Sequence, residues 1–497
     1  MIGQLVVIIT GFIARTVFIS VLSSTYLGVN GLFSNVLTIL SFAELGIGQA
    51  IIFSLYKPIA DKDEDKICSI MKLYSKVYRV LSVIVLVLGL AFIPVLPYII
   101  KDIDTIPDIY TIYVMYVINS SVSYLFAYRG TFVTACQKNH VINTVGFISN
   151  ILMTAVQIAS LYLFKSFLVY LGIQIVFGVL TNMFTYIYSS KKYPFLTRKD
   201  VQPLEKSEIS KLIKNVKALI LYKIGTIALN STDNIIISSF VGVVTVGFYS
   251  NYLLLQTSVQ GFLTTIFGNL TASIGNLNAQ ESDEKKHFIF NVINLMTFWF
   301  YTVCTICLYI CMTPFIHVWI GDTYVLPNTV VLIICLNMYI AGMLYAPFNY
   351  RQTMGLFVQG KYRPIISAVI NLVVSIILAQ YFGLAGVLWG TAIARLTTNV
   401  WFDPYLVFKK GLNRSPVKYF VDYLVKFVLL ITIGALCVFV ASFIPDSNIF
   451  FVLLKAVITL FITNVIIFII YYHTKEFKYL LHILKNFKGI VKQKNEG

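Results

Sequence analysis

Charge is what this sequence has least of. Only 12% of its 497 residues are Asp, Glu, Lys or Arg, while 58% are hydrophobic; soluble domains carry roughly 25% charged and roughly 45–50% apolar residues. A chain so poor in charge cannot clothe a water-exposed globule, so it reads as an integral membrane protein. Other absences narrow the class further. No Walker A pattern is present, which leaves direct ATP use without support. The cysteines Cys68, Cys136, Cys304, Cys307, Cys311, Cys335 and Cys437 lie mostly inside apolar runs and form no extracellular disulfide framework. Cys304, Cys307 and Cys311 share one helical stripe with no His or carboxylate nearby, so they read as packing residues and no metal site is expected. External connections are short, leaving no space for a catalytic domain. His317 beside Asp322 and Trp319 reads as an interfacial residue.

What charge there is has a pattern. The formal net charge is +17, and its location argues against nucleic acid: Lys and Arg occupy alternate loops. The run from Met1 to Leu22 has no basic leader, is interrupted by Arg15 and is followed by no small-residue cleavage site, so it reads as a first membrane helix and not a signal peptide. Segments of about 20 apolar residues, the length a spanning helix needs, fall near 2–22, 31–56, 77–100, 109–128, 141–164, 167–189, 216–241, 247–274, 288–315, 327–350, 364–382, 384–407, 419–444 and 448–472. The expected fold is therefore an all-α integral membrane protein of about 14 transmembrane helices. One set of loops holds Lys62, Lys66, Arg129, Lys138, Lys191, Lys192, Arg198, Lys285, Lys286, Lys361, Arg363, Lys409, Lys410 and Arg414; the other holds only Lys101 and Lys165 beside Asp102, Asp104, Asp108, Asp322 and Asp446. The positive-inside rule then places both termini in the cytoplasm.

The chain repeats itself. GLFSN at 31–35 and GFYSN at 247–251 each open an apolar span that ends in a mixed-charge loop, DKDEDK at 61–66 and ESDEKK at 281–286. FISNILMTAVQIASLYLF (147–164) resembles AVINLVVSIILAQYF (368–382), and Thr181-Asn182 and Thr398-Asn399 each precede an aromatic stretch closing in a Lys pair. Four matches in the same order imply two copies of one six-helix unit, and paired repeats in a membrane protein point to alternating access. An even number of spans per copy gives both the same orientation, related by a pseudo-two-fold axis along the membrane normal. The expected division is an N-terminal six-helix lobe over 1–190, a basic cytoplasmic linker over 191–215, a C-terminal six-helix lobe over 216–410, an additional helix pair over 411–472 and a basic amphipathic tail over 473–497. The stretch 204–218 and the tail, with Phe477, Leu480, Leu481, Leu484 and Phe487 on one stripe, should lie on the anionic inner leaflet as anchors.

An ionisable group at a helix centre costs about 2.5–3.5 kcal/mol on insertion scales, so each one needs a partner, a wet cavity or a route to the interface. Arg15, Glu44, Lys223, Asp233 and Arg395 fall inside spans. One reading makes them, with Asn35 and Asn251, the lining of a central cavity whose cations attract an anionic head group. The competing reading is structural: Arg15 and Glu44 neutralise each other, Lys223 reaches the interface, and the two asparagines bridge or cap helices. Arg351, Arg363 and Arg129 lie at cytoplasmic helix ends, where topology alone accounts for a cation.

The run YLGVNGLFSNVLTILSFAELGIGQAIIFSLYKPIADKDEDK (26–66), together with GFIARTVFIS (11–20) and GFYSN, resembles the bacterial polysaccharide-repeat-unit transporters. These are lipid-linked oligosaccharide flippases of the multidrug/oligosaccharidyl-lipid/polysaccharide exporter superfamily. The resemblance implies a flippase of the bacterial cytoplasmic membrane, and no enzyme. It would carry undecaprenyl-diphosphate-linked oligosaccharide to the outer leaflet, for capsule, exopolysaccharide or a related polymer. It implies no cofactor, with coupling to H+, Na+ or the membrane potential, and as partners the lipid-linked oligosaccharide, membrane lipids, and a polysaccharide polymerase and glycosyltransferases; no nucleic acid is implied. Arg15 is the position that best fits the family's cationic contact with the diphosphate. Two alternatives stand beside it: an ion-coupled drug or cation antiporter of the same superfamily, and a membrane polymerase or ligase of polysaccharide assembly. Cations at least as numerous as acids favour an anionic cargo over the first, and the missing external domain weakens the second. A major-facilitator transporter would need a Gly-x-x-x-Asp-Arg pattern after the second span, which is absent.

Overall fold

Apolar segments that leave water must satisfy their backbone polar groups internally, and α-helices do so within a single segment. The computed structural model describes residues 2–41, 47–101, 103–198, 200–205, 208–210, 213, 231–268, 270–356, 358–360 and 362–483, and all regular structure among them is helical. Two compact units divide the chain, residues 1–250 and 251–497. The first contains α1 (Ile2–Val21), α2 (Ser24–Leu40), α3 (Ile47–Ala60), α4 (Glu64–Ala91), α5 (Ile109–Ala135), α6 (Asn139–Phe164), α7 (Phe167–Lys192), α8 (Asp233–Phe240) and the start of α9 (Val243–Gly268). The second continues α9 and adds α10 (Leu270–Gln280), α11 (Asp283–Ile320), α12 (Asn328–Met343), α13 (Tyr345–Thr353), α14 (Arg363–Ala394), α15 (Val417–Ala441) and α16 (Ile449–Tyr471).

Nine segments of the described residues are long and apolar enough to cross a membrane. One of them, Arg363–Gly411, is 49 residues long; at about 1.5 Å per residue a straight helix of that length would be more than twice as long as a ~30 Å hydrocarbon core is thick. It folds back on itself at Gly383, whose φ of 55° and ψ of −131° leave the helix in a region that glycine enters without strain. The two arms are laced together: Ser375 Oγ donates to the Val387 carbonyl (3.0 Å), Thr391 Oγ1 to Asn371 Oδ1 (3.2 Å) and Thr398 Oγ1 to Ser367 Oγ (3.0 Å). A Cβ on Gly386 would stand 2.1 Å from the Leu378 carbonyl oxygen, so the turn closes only because that side chain is missing. The sequence reading of separate spans ending at 382 and starting at 384 corresponds to this hairpin.

Helix ends depart from the apolar boundaries where capping extends them. α4 starts at Glu64, well before the apolar stretch at 77, because Asp63 accepts a hydrogen bond from the Lys66 amide (2.9 Å) and acids fill the first turn. α11 likewise starts at Asp283 behind Ser282, which accepts from the Lys285 amide. The duplicated loops use their charges differently. ESDEKK pairs within itself, Lys285 with Glu281 and Lys286 with Asp283. DKDEDK instead holds the linker: Lys66 pairs with Glu208, Arg198 with Glu64 (3.0 Å), and Ser69 Oγ donates to the Gln202 carbonyl (2.7 Å). Each such exposed pair contributes at most about 1 kcal/mol. The expected amphipathic helix over 204–218 lies largely outside the described residues. Residues 475–483 are helical, but Phe477 is fully buried against Trp299 and Phe468. Part of the tail's apolar stripe therefore packs on protein, not on lipid.

The repeated pentads have a packing reason. Gly28 and Gly31 on α2 face the first turns of α9, and a Cβ at Gly28 would meet the Val243 carbonyl oxygen at 1.9 Å while one at Gly247 would meet the Ser24 carbonyl oxygen at 2.3 Å. Backbones this close require small residues, as in glycine-mediated membrane helix pairs. Gly28→Val and Gly247→Val should each destabilise the protein by roughly 1–3 kcal/mol through overpacking. Thermal unfolding in detergent checks this, with Gly146→Ala as control; a Cβ there meets nothing within 4 Å, and its melting temperature should not fall.

Candidate functional site

A charge inside a span has to be accounted for by its partners, and the internal charges of this chain fall into two kinds. Arg15 sits in the last third of α1, half-buried, and its Nη1 donates to Ser250 Oγ at 2.8 Å. Ser250 is the serine of the second repeated pentad. Among the described residues Arg15 makes no ion pair, and the side-chain partner it meets there is the neutral Ser250 hydroxyl. Glu44, the acid expected as its alternative partner, lies outside the described residues, as does Lys223.

The other predicted positions behave differently from one another. Asn35 is half-buried and donates its Nδ2 to the Gly31 carbonyl one turn earlier (2.9 Å), a bond within its own helix. Its counterpart Asn251 is fully buried, and among the described residues neither amide atom has a hydrogen-bond partner. Such an orphan in a buried position is costly and demands a reason. Asp233 opens α8, where the helix dipole favours a carboxylate. Arg395 stands at the start of a π-helical turn, Arg395–Asn399, and its Nη1 donates to the Asn337 carbonyl (3.0 Å) and to Asn337 Oδ1 (3.3 Å). Of the seven positions, the structure ties Arg15 to a repeated pentad and Arg395 to α12.

Sequence reasoning passed over one buried ion cluster in the second unit, around Asp403, and two pairs in which a buried lysine meets a more exposed acid. Asp403, 1% exposed, lies between Arg351 (3.2 Å, 1% exposed) and Arg363, whose Nη1 hydrogen-bonds the other carboxylate oxygen. Arg351 and Arg363 are thus held by an acid, beyond the topological role assigned to them as helix-end cations. Lys426 on α15 donates to Asp422 (2.6 Å), which also accepts from Asn294 Nδ2 on α11 (3.1 Å). Lys455 on α16 pairs with Asp446. The signal was present: Asp403, Lys426 and Lys455 all interrupt apolar runs as Arg15 does, and the same rule applied to them would have found them. His317 Nδ1 and the Asp322 carboxylate are hydrogen-bonded at an exposed connection. All seven cysteines are free thiols.

With this geometry in hand, comparison with known proteins is informative about the fold. No family model matches the sequence, and no curated protein sequence matches it. Solved structures do. The lipid II flippase MurJ in its inward closed conformation superposes with a TM-score of 0.66 at 14% identity, covering 94% of this chain and 98% of that one. A multidrug resistance MATE family transporter of the MOP superfamily, in an inward-facing conformation, gives 0.59 at 13% identity, over 80% of this chain and 96% of that one. The MATE transporter VcmN of Vibrio cholerae gives 0.58 at 12% identity, over 83% and 94%. The chain therefore has the fold of the multidrug/oligosaccharidyl-lipid/polysaccharide transporters, a multi-pass membrane fold, along nearly its whole length.

The ion clusters carry a stability prediction. Asp403→Ala would take the buried carboxylate away from Arg351 and Arg363, and breaking a buried pair from one side costs about 3–5 kcal/mol. Loss of monodisperse protein on size-exclusion chromatography, or a sharply lowered melting temperature, is the expected readout, whereas Arg15→Ala should leave both near wild type.

Proposed function

We propose that this protein is a flippase that moves undecaprenyl-diphosphate-linked oligosaccharide from the inner to the outer leaflet of a bacterial cytoplasmic membrane, by alternating access, for capsule, exopolysaccharide or a related polymer. The observation that carries the proposal is Arg15: an intramembrane guanidinium whose side-chain partner among the described residues is a hydroxyl. A diphosphate is too costly to move through hydrocarbon bare. A planar guanidinium with donors to spare offers it charge-assisted, bidentate hydrogen bonds. Arg15 thus serves as the contact for the diphosphate, the unpaired amide of Asn251 as a second polar contact, and Asp233 and Arg395 as further polar groups of the pathway. Glu44, Lys223 and Asn35 keep the same assignment from sequence.

Direction follows without ATP. In a cell with a negative interior, each anionic charge moved outward is favoured by roughly 2.3 kcal/mol per 100 mV. The transporter fold shared with MurJ supports the class, and the resemblance of residues 11–66 to repeat-unit transporters supports the cargo. The shared fold with MATE proteins keeps an ion-coupled antiporter as the second reading, and the cation on α1, which makes no ion pair among the described residues, is the observation that weighs against a cationic cargo.

Depletion of the protein should cause lipid-linked repeat units to accumulate in the inner leaflet, measured by lipid extraction and accessibility to an external modifying enzyme. Arg15→Ala should slow export by tenfold or more, the worth of roughly 1.5–3 kcal/mol in a charged hydrogen bond, at unchanged protein level. Arg15→Lys should retain part of it. Normal export by Arg15→Ala would remove Arg15 from the transport step.

A further inference from the structure

Helix α4 buries one face, through Met71, Tyr74, Tyr78, Leu81 and Val85, and leaves the opposite face bare. On the bare face Lys72, Lys76, Arg79, Val83, Val87 and Leu90 follow one another at intervals of three and four residues, and all six are exposed. That spacing makes them a single stripe. Cations fill its first half and apolar side chains its second, and from Ile67 to Ala91 the helix carries no acid. Neither Lys76 nor Arg79 makes an ion pair among the described residues. Arg79 Nη2 donates to the Ser75 hydroxyl one turn earlier (3.2 Å), which leaves most of its donors unspent.

Helix length fixes where the change from cation to valine falls. The spanning segment that begins with α4 ends at Ile99. From Arg79 to Ile99 about 20 residues rise about 30 Å, the thickness of the hydrocarbon core. Arg79 thus stands at the core's edge, with Lys76 about 5 Å and Lys72 about 10 Å beyond it along the axis. Head groups fill roughly the next 5–8 Å, and long basic side chains reach along the surface to meet them. Loop charge assigns this edge to the inner leaflet.

The second copy of the repeat shows the same helix face under cover. Counted from the capping residues Asp63 and Ser282, the positions of Lys72, Lys76 and Arg79 are taken on α11 by Asn291, Leu295 and Phe298. Leu295 and Phe298 are buried. The Phe298 ring meets Tyr471 at the end of α16, centroids 5.9 Å apart, and the Lys426 ammonium of α15 lies 5.8 Å from its centre. Those two helices stand outside the duplication. On α4 the corresponding face is bare and basic where that of α11 is covered and apolar, so a negatively charged lipid surface suits it and a further apolar helix does not. A cation that only sets topology can sit anywhere in an inner loop; these are aligned on one helix with exposed Val83 and Val87, at head-group depth.

We propose that Lys76 and Arg79, with Lys72 beside them, form a docking site for an anionic phospholipid of the inner leaflet. Its phosphate lies between the two cations, where the guanidinium offers bidentate hydrogen bonds, and its tails run along Val83, Val87 and Leu90. The site stands independently of the flippase reading.

Native mass spectrometry of the full chain in detergent tests this, with phosphatidylglycerol, phosphatidylcholine and a polyprenyl diphosphate added one at a time and the dissociation constant of the first bound lipid as readout. Phosphatidylglycerol should bind at least tenfold more tightly than phosphatidylcholine. The double variant Lys76→Gln/Arg79→Gln should weaken phosphatidylglycerol about 25-fold, about fivefold for each cation at an anionic surface. Its melting temperature without lipid should not fall, because both side chains are exposed. The exchange Lys76→Arg/Arg79→Lys keeps the charge and should keep the binding. Lys409→Gln/Lys410→Gln removes the same charge from another exposed basic turn and should leave the constant unchanged. Equal binding of the two phospholipids, wild-type binding by the glutamine pair, loss in the charge-keeping exchange, or an equal loss in the Lys409/Lys410 pair would overturn the inference. So would a polyprenyl diphosphate that binds more tightly than phosphatidylglycerol and is lost with Lys76 and Arg79, since the stripe would then be a cargo contact.

Discussion

An ionisable side chain in hydrocarbon must be neutralised, hydrated or used, and this constraint organises the internal charges of the chain. In the second unit Asp403, Asp422 and Asp446 each hold at least one basic partner: Arg351 with Arg363, Lys426, and Lys455. These contacts fix helices to one another. Asp403 joins the long hairpin arm to Arg351 on α13, and Asp422 joins α15 to α11 through Asn294. Arg15 is the exception among them, since the group it meets is a hydroxyl. Against a background in which these carboxylates are paired with cations, a cation that among the described residues is matched by a serine stands apart.

The duplication shows what is retained when copies diverge. Both pentads keep a glycine on the facing sides of α2 and α9, although only Gly247 meets the partner backbone, at Ser24 and Gly28, while Gly31 meets the Val246 side chain, and both keep Ser-Asn. The packing demand is shared, but the polar residues have parted. Asn35 spends its amide on its own helix, whereas Asn251 has no side-chain hydrogen bond among the described residues. Ser250 serves Arg15, a contact that reaches from one pentad to the first helix. The loops that follow diverge in the same way, one closed on itself and the other holding the linker.

Hydropathy made most of the fold legible because membrane spans are set by length and apolar content, and even the break at Gly383 shows as a single glycine between two apolar runs. The helices α4 and α11 begin before the apolar spans read at 77 and 288, since they are extended by capping residues that hydropathy does not see. The site was less legible. Whether a mid-span charge is paired depends on residues far away in sequence: Arg363 and Asp403 are separated by 40 positions, Asn294 and Asp422 by 128. Arg15 and Arg395 look alike in sequence, yet one meets a hydroxyl while the other is bonded to a backbone carbonyl and an amide on α12.

The chemistry of the Arg15 partner bears on how a transporter can both bind and release. Had Arg15 been held by a buried carboxylate, an incoming diphosphate would have to break that pair and leave an acid uncompensated, at a cost of about 3–5 kcal/mol. A hydrogen bond from a charged group to a hydroxyl is worth about 1.5–3 kcal/mol, less than that, so on the proposed reading a doubly charged head group would displace Ser250 at the smaller cost. When the cargo leaves, the same hydroxyl takes the guanidinium back and spares it an unsatisfied donor. A weak neutral partner therefore makes the cation available without leaving it orphaned between cycles, which suits a group that must be engaged and released once per turnover.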